Sequence, residues 1–220
     1  MLQRRLERIT GVVALVVAAV VISGTPAAAQ ARPAAAPAKA AARDTVVFAG
    51  GCFWGVQAVF ARVKGVVSSL SGYAGGKPAN PSYDKVSTGT TGHAESVQVI
   101  YDPTKVTYQQ LLEVFFAVAH DPTELNRQGP DVGTQYRSAV FFGNPDQQRA
   151  TSAYIARLTQ ARTYPHPIVT QVAALSTFYP AEGYHQNYFD THPDQPYIVY
   201  NDKPKVEHLR QQFPQLYLAK

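Results

Sequence analysis

The amino-acid sequence predicts a single α+β domain, a two-layer sandwich of helices on one mixed sheet, with a loop-rich C-terminal segment. The chain has 220 residues, 45% of them hydrophobic, which is enough for one core of ordinary size. Charged residues make up only 16% while tyrosine and phenylalanine are plentiful, which excludes a disordered chain or a coiled coil. Strand and helix patterns mix without strict alternation, and this favours α+β over a doubly wound parallel sheet.

The N-terminus has the three-part pattern of a secretory signal peptide. Three arginines fall in the first eight residues, residues 11–22 form an apolar run, and Ala27-Ala28-Ala29 supplies small residues for cleavage after Ala29 or Ala31. The apolar run is shorter than the roughly 20 residues of a membrane-spanning helix, although an uncleaved anchor is the alternative. The predicted segments are a signal peptide over 1–29, an Ala/Pro-rich linker over 30–43 and a folded domain over 44–220.

Hydrophobic periodicity predicts the first half of the folded domain. Residues 45–49 are β-branched or aromatic and end at Gly50-Gly51, which is typical of a strand followed by a tight turn. Apolar residues at helical spacing predict a helix over 53–63. The next predicted elements are a strand over 66–73, a Gly/Pro/Asn-rich loop over 77–93 and a strand over 95–101. A loop of that length inside a domain is often functional.

The second half continues the mixed pattern and shows no internal repeat. Residues 107–120 carry an apolar stripe that predicts a helix. The elements predicted after it are a strand over 137–142, a helix over 145–161 and a strand over 169–175, with loops and short helices beyond.

Charge and cysteine content exclude several classes of protein. The formal net charge is +5, but part of it lies in the N-terminal segment and no Lys/Arg-rich run follows, so nucleic acid is not an expected partner. Cys52 is the only cysteine, which rules out an internal disulfide and a cysteine-rich zinc site. His120, His166 and His192 lie beside Asp or Pro in loop-like contexts and are not expected to bind a metal.

Cys52 is the residue at which we expect chemistry. It follows two glycines and precedes a predicted helix, so free N–H groups and the helix dipole are expected to stabilise its thiolate and lower the pKa of the thiol. A small buried cysteine without chemistry is the alternative. Export favours the reactive interpretation, because an idle unpaired thiol is a liability in an oxidising compartment.

A series of short segments extends this interpretation. In chain order they are Gly51-Cys52-Phe53-Trp54-Gly55, Gly72-Tyr73-Ala74-Gly75-Gly76, Pro81-Ser82-Tyr83, Gly92-His93-Ala94-Glu95, Asp121-Pro122-Thr123, Asn126-Arg127-Gln128-Gly129, residues 131–138 and residues 181–188. Their order and content resemble the A-type peptide methionine sulfoxide reductases from residue 46 to about residue 200. The resemblance implies an enzyme that reduces methionine S-sulfoxide, free or in proteins, without a metal, flavin or nucleotide. The expected sheet is ferredoxin-like in overall style.

The resemblance also implies a role for each site residue. Cys52 would attack the sulfoxide sulfur as a thiolate and become a sulfenic acid. Glu95 would donate a proton, provided that apolar surroundings raise its pKa. The other implied site residues are Tyr83 and Tyr136, which bind the sulfoxide oxygen, Phe53 and Trp54, which hold the methyl group, and Asp131, which organises the site.

Two features depart from the family. Many members carry further cysteines near the C-terminus, whereas none follows Cys52 here, so an outside thiol must recycle it: a thioredoxin-like protein, a glutaredoxin-like protein or a small thiol. Met1 is the only methionine, so the processed chain would have none to be damaged. We expect a monomeric, exported enzyme, periplasmic or secreted, that repairs exported proteins.

Other functions remain open from the sequence alone. In a thiol peroxidase Cys52 would attack a peroxide, with no preference between sulfoxide epimers. A binding module would recognise oxidised methionine without turnover and would keep its affinity after Cys52→Ser. A hydrolase pairing Cys52 with His93 or His185 is a weaker alternative, because no oxyanion-hole segment or third orienting residue accompanies them.

Overall fold

A computed structural model describes residues 43–77 and 79–220 of the chain. The predicted signal peptide over 1–29 and nearly all of the predicted linker over 30–43 lie outside the described residues. No helix within the described ranges is both long and apolar enough to cross a bilayer.

Strands of the described chain form one large sheet and one small hairpin. In chain order the strands are β1 (Asp44–Gly50), β2 (Val66–Ala74), β3 (Ala94–Tyr101), β4 (Arg127–Gln128), β5 (Asp131–Val132), β6 (Ser138–Phe142), β7 (Gln171–Ala174) and β8 (Phe178–Pro180). The large sheet has the order β7-β6-β1-β3-β2-β8, and β4 pairs with β5. Neighbours in the large sheet are antiparallel except β6 and β7, so the sheet is mixed. The predicted α+β class is thereby confirmed, while the ferredoxin-like detail stays a prediction.

Six α-helices accompany these strands in the described ranges. They are α1 (Phe53–Phe60), α2 (Tyr83–Val86), α3 (Tyr108–Val114), α4 (Pro145–Gln160), α5 (Tyr188–Thr191) and α6 (Lys203–Gln212). Side-chain caps fix where two of them begin. The hydroxyl of Thr107 accepts the N–H of Gln110, whose side chain accepts the Thr107 N–H in return, and Asn144 caps α4 in front of Pro145.

The core lies between the large sheet and the helices α1 and α3. Phe48 of β1 stacks on Phe60 of α1, with ring centroids 4.9 Å apart, and on Phe115 at 4.6 Å. All three rings are fully buried, and burying a phenylalanine side chain stabilises a fold by about 1.5–3 kcal/mol. This packing holds β1 against the last turn of α1, the helix that begins directly after Cys52.

The differences from the predicted elements have local causes. The loop predicted over 77–93 contains one short helix, α2. The three-residue β8 was missed because it is held by pairing with β2 and has little pattern of its own. The helix predicted over 107–120 continues from α3 into a π-helical turn, Phe115–Ala119, and a second π-helical turn, Ile198–Asp202, precedes α6. Such turns are frequent at functional sites and have no hydrophobic period that reveals them.

Candidate active site

Two glycines shape the turn that presents Cys52. Gly51 has φ +86°, and a Cβ on it would lie 2.5 Å from the Cβ of Gln128. A Cβ on Gly50 would lie 2.9 Å from the Cβ of His120. Residues with side chains rarely adopt a positive φ and need more space than this turn leaves. Cys52 therefore lies at the N-cap of α1, as the sequence predicts.

The thiol of Cys52 borders a cavity of about 220 Å³, here called the aromatic cavity. Its lining residues are Cys52, Phe53, Trp54, Tyr83, Glu95, Asp131, Tyr136, Gln195 and Tyr197. Every site residue predicted from the sequence is in this set, although the chain separates the first and last of those predicted residues by more than 80 positions. Gln195 and Tyr197 are the additional members.

Glu95 is the buried acid of the aromatic cavity. It lies on β3 with 3% of its surface exposed, and its Oε2 atom accepts the N–H of Phe53 at 3.0 Å. Burial raises the pKa of the Glu95 carboxyl to about 8, opposed by that N–H and reinforced by the charges of Asp131 and Asp202. The carboxyl group is therefore mostly protonated at neutral pH and has a proton to donate.

The thiol of Cys52 behaves differently from the sequence-based prediction. Cys52 is 8% exposed, and burial raises its pKa well above the ordinary value, with the neighbouring acidic groups Glu95 and Asp202 acting in the same direction. The N–H of Trp54 and the cation of Lys205 lower the pKa but do not outweigh burial. The predicted lowering of the thiol pKa is wrong for the resting protein. A helix N-terminus stabilises a thiolate, but burial costs the thiolate more.

Two tyrosine hydroxyls face the same cavity. Tyr83 begins α2, and its N–H donates to Oε1 of Glu182 at 2.8 Å, while the hydroxyl of Tyr73 donates to Oε2 of that carboxylate at 2.8 Å. Tyr136 ends a 3₁₀ turn after β5. Burial, reinforced by the nearby Glu95, raises the pKa of both Tyr83 and Tyr136, so both keep their protons as hydrogen-bond donors.

Aromatic rings form the apolar part of the cavity. Trp54 stacks on Tyr188 with centroids 3.9 Å apart, and its Nε1 donates to Nδ1 of His185 at 3.2 Å. Phe53 is fully buried, with its ring 5.0 Å from that of His185. These contacts hold the two rings rigidly, which suits binding of a small apolar group such as a thioether methyl.

Asp131 contacts a residue that the sequence analysis did not single out. The hydroxyl of Tyr197 donates a hydrogen bond to Oδ2 of Asp131, and both residues line the cavity. Burial raises the pKa of Asp131, opposed by this hydrogen bond. Gln195 and Tyr197 lie in a segment predicted only as loops and short helices, where no local pattern distinguishes them. Glu182, which holds Tyr83, does fall in the matching segment 181–188.

The histidines considered in the sequence are not part of the lining of the aromatic cavity. Neither His93 nor His185 is among the described residues that line the aromatic cavity: His93 accepts the N–H of Gly76, and His185 accepts from Trp54. The Cys/His hydrolase alternative therefore has no geometric support. His120 bridges the carbonyl of Phe115 and the hydroxyl of Ser138 inside the core. Across the described ranges, no cluster of three or more His, Cys, Asp or Glu side chains could hold a metal ion.

Comparison with known proteins shows the family to which the chain is similar. The model of a family described as peptide methionine sulfoxide reductase matches residues 44–217. Peptide methionine sulfoxide reductase MsrA 2 of Mesorhizobium japonicum is 58% identical over 177 residues, covering 80% of this chain and 91% of that protein. The protein of the same name from Synechocystis is 47% identical, covering 77% of this chain and 79% of that protein.

Solved structures give the same result. Mxr1 of Saccharomyces cerevisiae in its reduced form has a TM-score of 0.66 and 32% identity, covering 83% of this chain and 95% of that chain. Methionine sulfoxide reductase A of Corynebacterium diphtheriae has a TM-score of 0.61 and 37% identity, covering 69% of this chain and 76% of that chain.

Proposed function

The chain belongs to the peptide methionine sulfoxide reductase family and is a methionine sulfoxide reductase, and on that premise we propose that it works through Cys52 alone. In this proposal Cys52 reduces methionine S-sulfoxide, an outside thiol recycles the enzyme, and the substrates are exported proteins. The observation that carries the proposal is the aromatic cavity, in which one thiol, one protonated carboxyl group and two tyrosine hydroxyls converge.

The cavity supports a specific orientation of the substrate. The methyl group packs against Phe53 and Trp54, because a thioether methyl and its sulfur favour aromatic contacts. The sulfoxide oxygen then lies on the polar side, where Tyr83 and Tyr136 donate hydrogen bonds that strengthen as negative charge develops. This orientation leaves the sulfoxide sulfur facing Cys52.

The proton balance of the reduction follows from the two raised pKa values. Glu95 gives its proton to the sulfoxide oxygen while Cys52 attacks the sulfur, and Glu95 regains the proton that the thiol loses. The S–O bond of the substrate breaks and the oxygen passes to Cys52, giving methionine and a sulfenic acid. Thiol plus sulfoxide thus becomes sulfenic acid plus thioether, and Glu95 ends in its starting state.

Recycling requires a thiol from outside the chain. Cys52 is the only cysteine, so no second thiol of the protein can condense with the sulfenic acid. A thioredoxin-like protein or a small thiol supplies the two electrons in two steps, first forming a mixed disulfide with Cys52 and then releasing it.

Export is proposed from the N-terminal sequence. A positive start, a short apolar run and small residues at 27–29 support a cleaved signal peptide and a periplasmic or secreted enzyme. N-terminal sequencing of the protein recovered from the periplasm or the medium tests this. A mature chain that begins near residue 30 is expected, and a membrane-bound chain that keeps Met1 would contradict it.

Single-turnover chemistry without added thiol tests the mechanism. The purified protein is mixed with each methionine sulfoxide epimer, and the methionine formed per Cys52 is measured. One equivalent from the S epimer, none from the R epimer and none from Cys52→Ser are expected. Consumption of peroxide without any methionine would support the thiol peroxidase instead. Affinity for the sulfoxide without a burst would support a binding module.

A further inference from the structure

A second cavity, of about 180 Å³, also reaches Cys52, and we call it the Lys205 cavity. Its lining residues are Cys52, Gln128, Gly129, Pro130, Asp131, Tyr197, Tyr200, Asn201 and Lys205. It shares Cys52, Asp131 and Tyr197 with the aromatic cavity. The remaining six lining residues of each cavity differ, so Cys52 borders two cavities with largely different walls.

The wall between the two cavities is held in place by a hydrogen bond. The hydroxyl of Tyr197 donates to Oδ2 of Asp131, and this pair borders both cavities. Tyr200, which lines the Lys205 cavity, is 78% exposed, so the cavity is open to molecules in solution at this residue. A group can therefore approach Cys52 through the Lys205 cavity while the aromatic cavity keeps its own lining.

We propose that the Lys205 cavity is the site at which the recycling thiol attacks the oxidised Cys52, an inference that rests on the proposed function above. The incoming thiolate forms an S–S bond to Cys52 while the S–O bond of the sulfenic acid breaks. The oxygen takes up a proton from Glu95, together with its own, and leaves as water. One thiol is thereby oxidised to a mixed disulfide, and a second thiolate releases Cys52 by attack on the partner sulfur.

The direction of attack explains why two cavities are needed. Displacement at a sulfur atom requires the nucleophile to approach roughly opposite to the bond that breaks. The oxygen taken from the sulfoxide lies in the aromatic cavity, beside Glu95 and the hydroxyls of Tyr83 and Tyr136. The best line of approach to the Cys52 sulfur is then from the other side of that atom. Once methionine has left, the aromatic cavity supplies the proton for the departing oxygen and the Lys205 cavity admits the thiol.

Lys205 places a cation in the lining of the Lys205 cavity, where it is paired with a buried carboxylate. Nζ of Lys205 lies 3.3 Å from Oδ1 of Asp202, which is fully buried and whose Oδ2 has no hydrogen-bond partner among the described residues. The pair packs against Gly55, where a Cβ would lie 2.1 Å from that Oδ1 atom. These contacts fix Lys205 in the lining that it shares with Cys52, and its cation is the group of this pair that favours a thiolate. Asp131 is the other charged group of the lining, and the hydroxyl of Tyr197 covers its Oδ2.

A crossed pair of variants tests the proposal. Asn201→Trp fills the Lys205 cavity from a half-buried position, and the matched control Gln195→Trp fills the aromatic cavity from another half-buried position. In each protein Cys52 is converted to the sulfenic acid with hydrogen peroxide, so that this step does not depend on sulfoxide binding. Reaction with 2-mercaptoethanol is then followed by stopped-flow, and the methionine burst is measured separately.

We expect Asn201→Trp to slow the thiol reaction by about tenfold or more while the methionine burst keeps its amplitude. The control should lose the burst while its sulfenic acid still reacts with the thiol clearly faster than that of Asn201→Trp. An unchanged thiol rate in Asn201→Trp, or a thiol reaction blocked by Gln195→Trp alone, would overturn the proposal. Absence of a burst in the wild-type protein would instead refute the proposed function, because the peroxide route bypasses that step.

Two further measurements test whether a slower thiol reaction comes from a folding defect, and which kind of thiol uses the Lys205 cavity. Asn201→Leu obstructs the cavity less than Asn201→Trp does, and its melting temperature is compared with that of the wild type. A well-folded Asn201→Leu variant with an intermediate thiol rate supports the Lys205 cavity as the site of thiol attack. Repeating the reaction with a reduced thioredoxin distinguishes attack by a protein cysteine from attack by a small thiol. Slowing with both reductants assigns the cavity to small thiols and protein cysteines alike, and slowing with 2-mercaptoethanol alone assigns it to small thiols. Wild-type rates with both reductants contradict the assignment.

Discussion

Replacing Glu95 by glutamine removes the proposed proton donor while preserving nearly the same shape. The amide oxygen of glutamine can still accept the N–H of Phe53, a contact of 3.0 Å in the wild type. With a pKa of about 8, the Glu95 carboxyl is about nine-tenths protonated at pH 7. General-acid catalysis contributes about 10²- to 10⁴-fold, so the burst rate should fall by that factor, or by about 3–5 kcal/mol of transition-state stabilisation.

The same substitution should stabilise the fold, and this separates a proton donor from a structural residue. The pKa of Glu95 is raised in the folded state, so between pH 4.5 and about 8 the unfolded chain ionises while the folded protein keeps its proton. Wild-type stability therefore falls as pH rises through this window, whereas the glutamine variant has no such loss. The free energy of unfolding of the glutamine variant should therefore exceed that of the wild type by at most about 3 kcal/mol at pH 7.

Stopped-flow measurement of the methionine burst from pH 6 to 9, combined with urea denaturation at the same pH values, checks both effects. The wild-type burst rate should decline above pH 8 as Glu95 loses its proton, while the variant remains slow and lacks that decline. Glu95→Asp is a useful control, because it retains a carboxyl group but shortens its reach. A variant with the wild-type burst rate across this range, or one that is less stable than wild type at pH 7, would refute the reasoning.

Three other substitutions have definite expected outcomes. Gly51→Ala forces a side chain into a positive φ and against Gln128, so urea denaturation should show a loss of at least about 1–3 kcal/mol. Tyr197→Phe removes the hydrogen bond to Asp131, so steady-state assays should show kcat/KM reduced about tenfold with an unchanged melting temperature. Trp54→Ala removes ring contacts with the substrate sulfur worth about 0.3–1.5 kcal/mol, so KM should rise about two- to tenfold, and Trp54→Phe should restore most of the loss.

The sequence predicts well where local pattern and chemistry coincide. The turn through Gly50 and Gly51 into α1 is specified by adjacent residues, and so is the position of Cys52 at the start of that helix. The family resemblance names the other predicted cavity residues, since each falls inside a short matching segment. Glu95 shows what the resemblance adds: as an isolated residue at the start of a strand, it is indistinguishable from a solvated charge.

What the sequence does not predict depends on contacts between distant segments. Gln195 and Tyr197 reach the cavity because the chain after β8 folds back across α1, and no periodic pattern marks them. The direction in which the Cys52 pKa shifts also depends on the three-dimensional structure. Its helix position favours the thiolate, but other parts of the chain bury the thiol and bring the acidic groups Glu95 and Asp202 near it, and these effects prevail.

A raised thiol pKa is consistent with an enzyme that has a single cysteine. Oxidants attack thiolates far faster than thiols, so a protonated Cys52 is protected while no substrate is bound. Family members with a second cysteine can hold an oxidised nucleophile in a reducible disulfide, an option that this chain lacks. In the proposed mechanism Glu95 couples activation to the substrate, because the sulfoxide oxygen accepts its proton and the resulting carboxylate accepts the proton of Cys52. By this mechanism the thiolate forms in contact with the sulfur that it attacks, and the burial that lowers the reactivity of the resting thiol also limits oxidative damage to the chain's single cysteine.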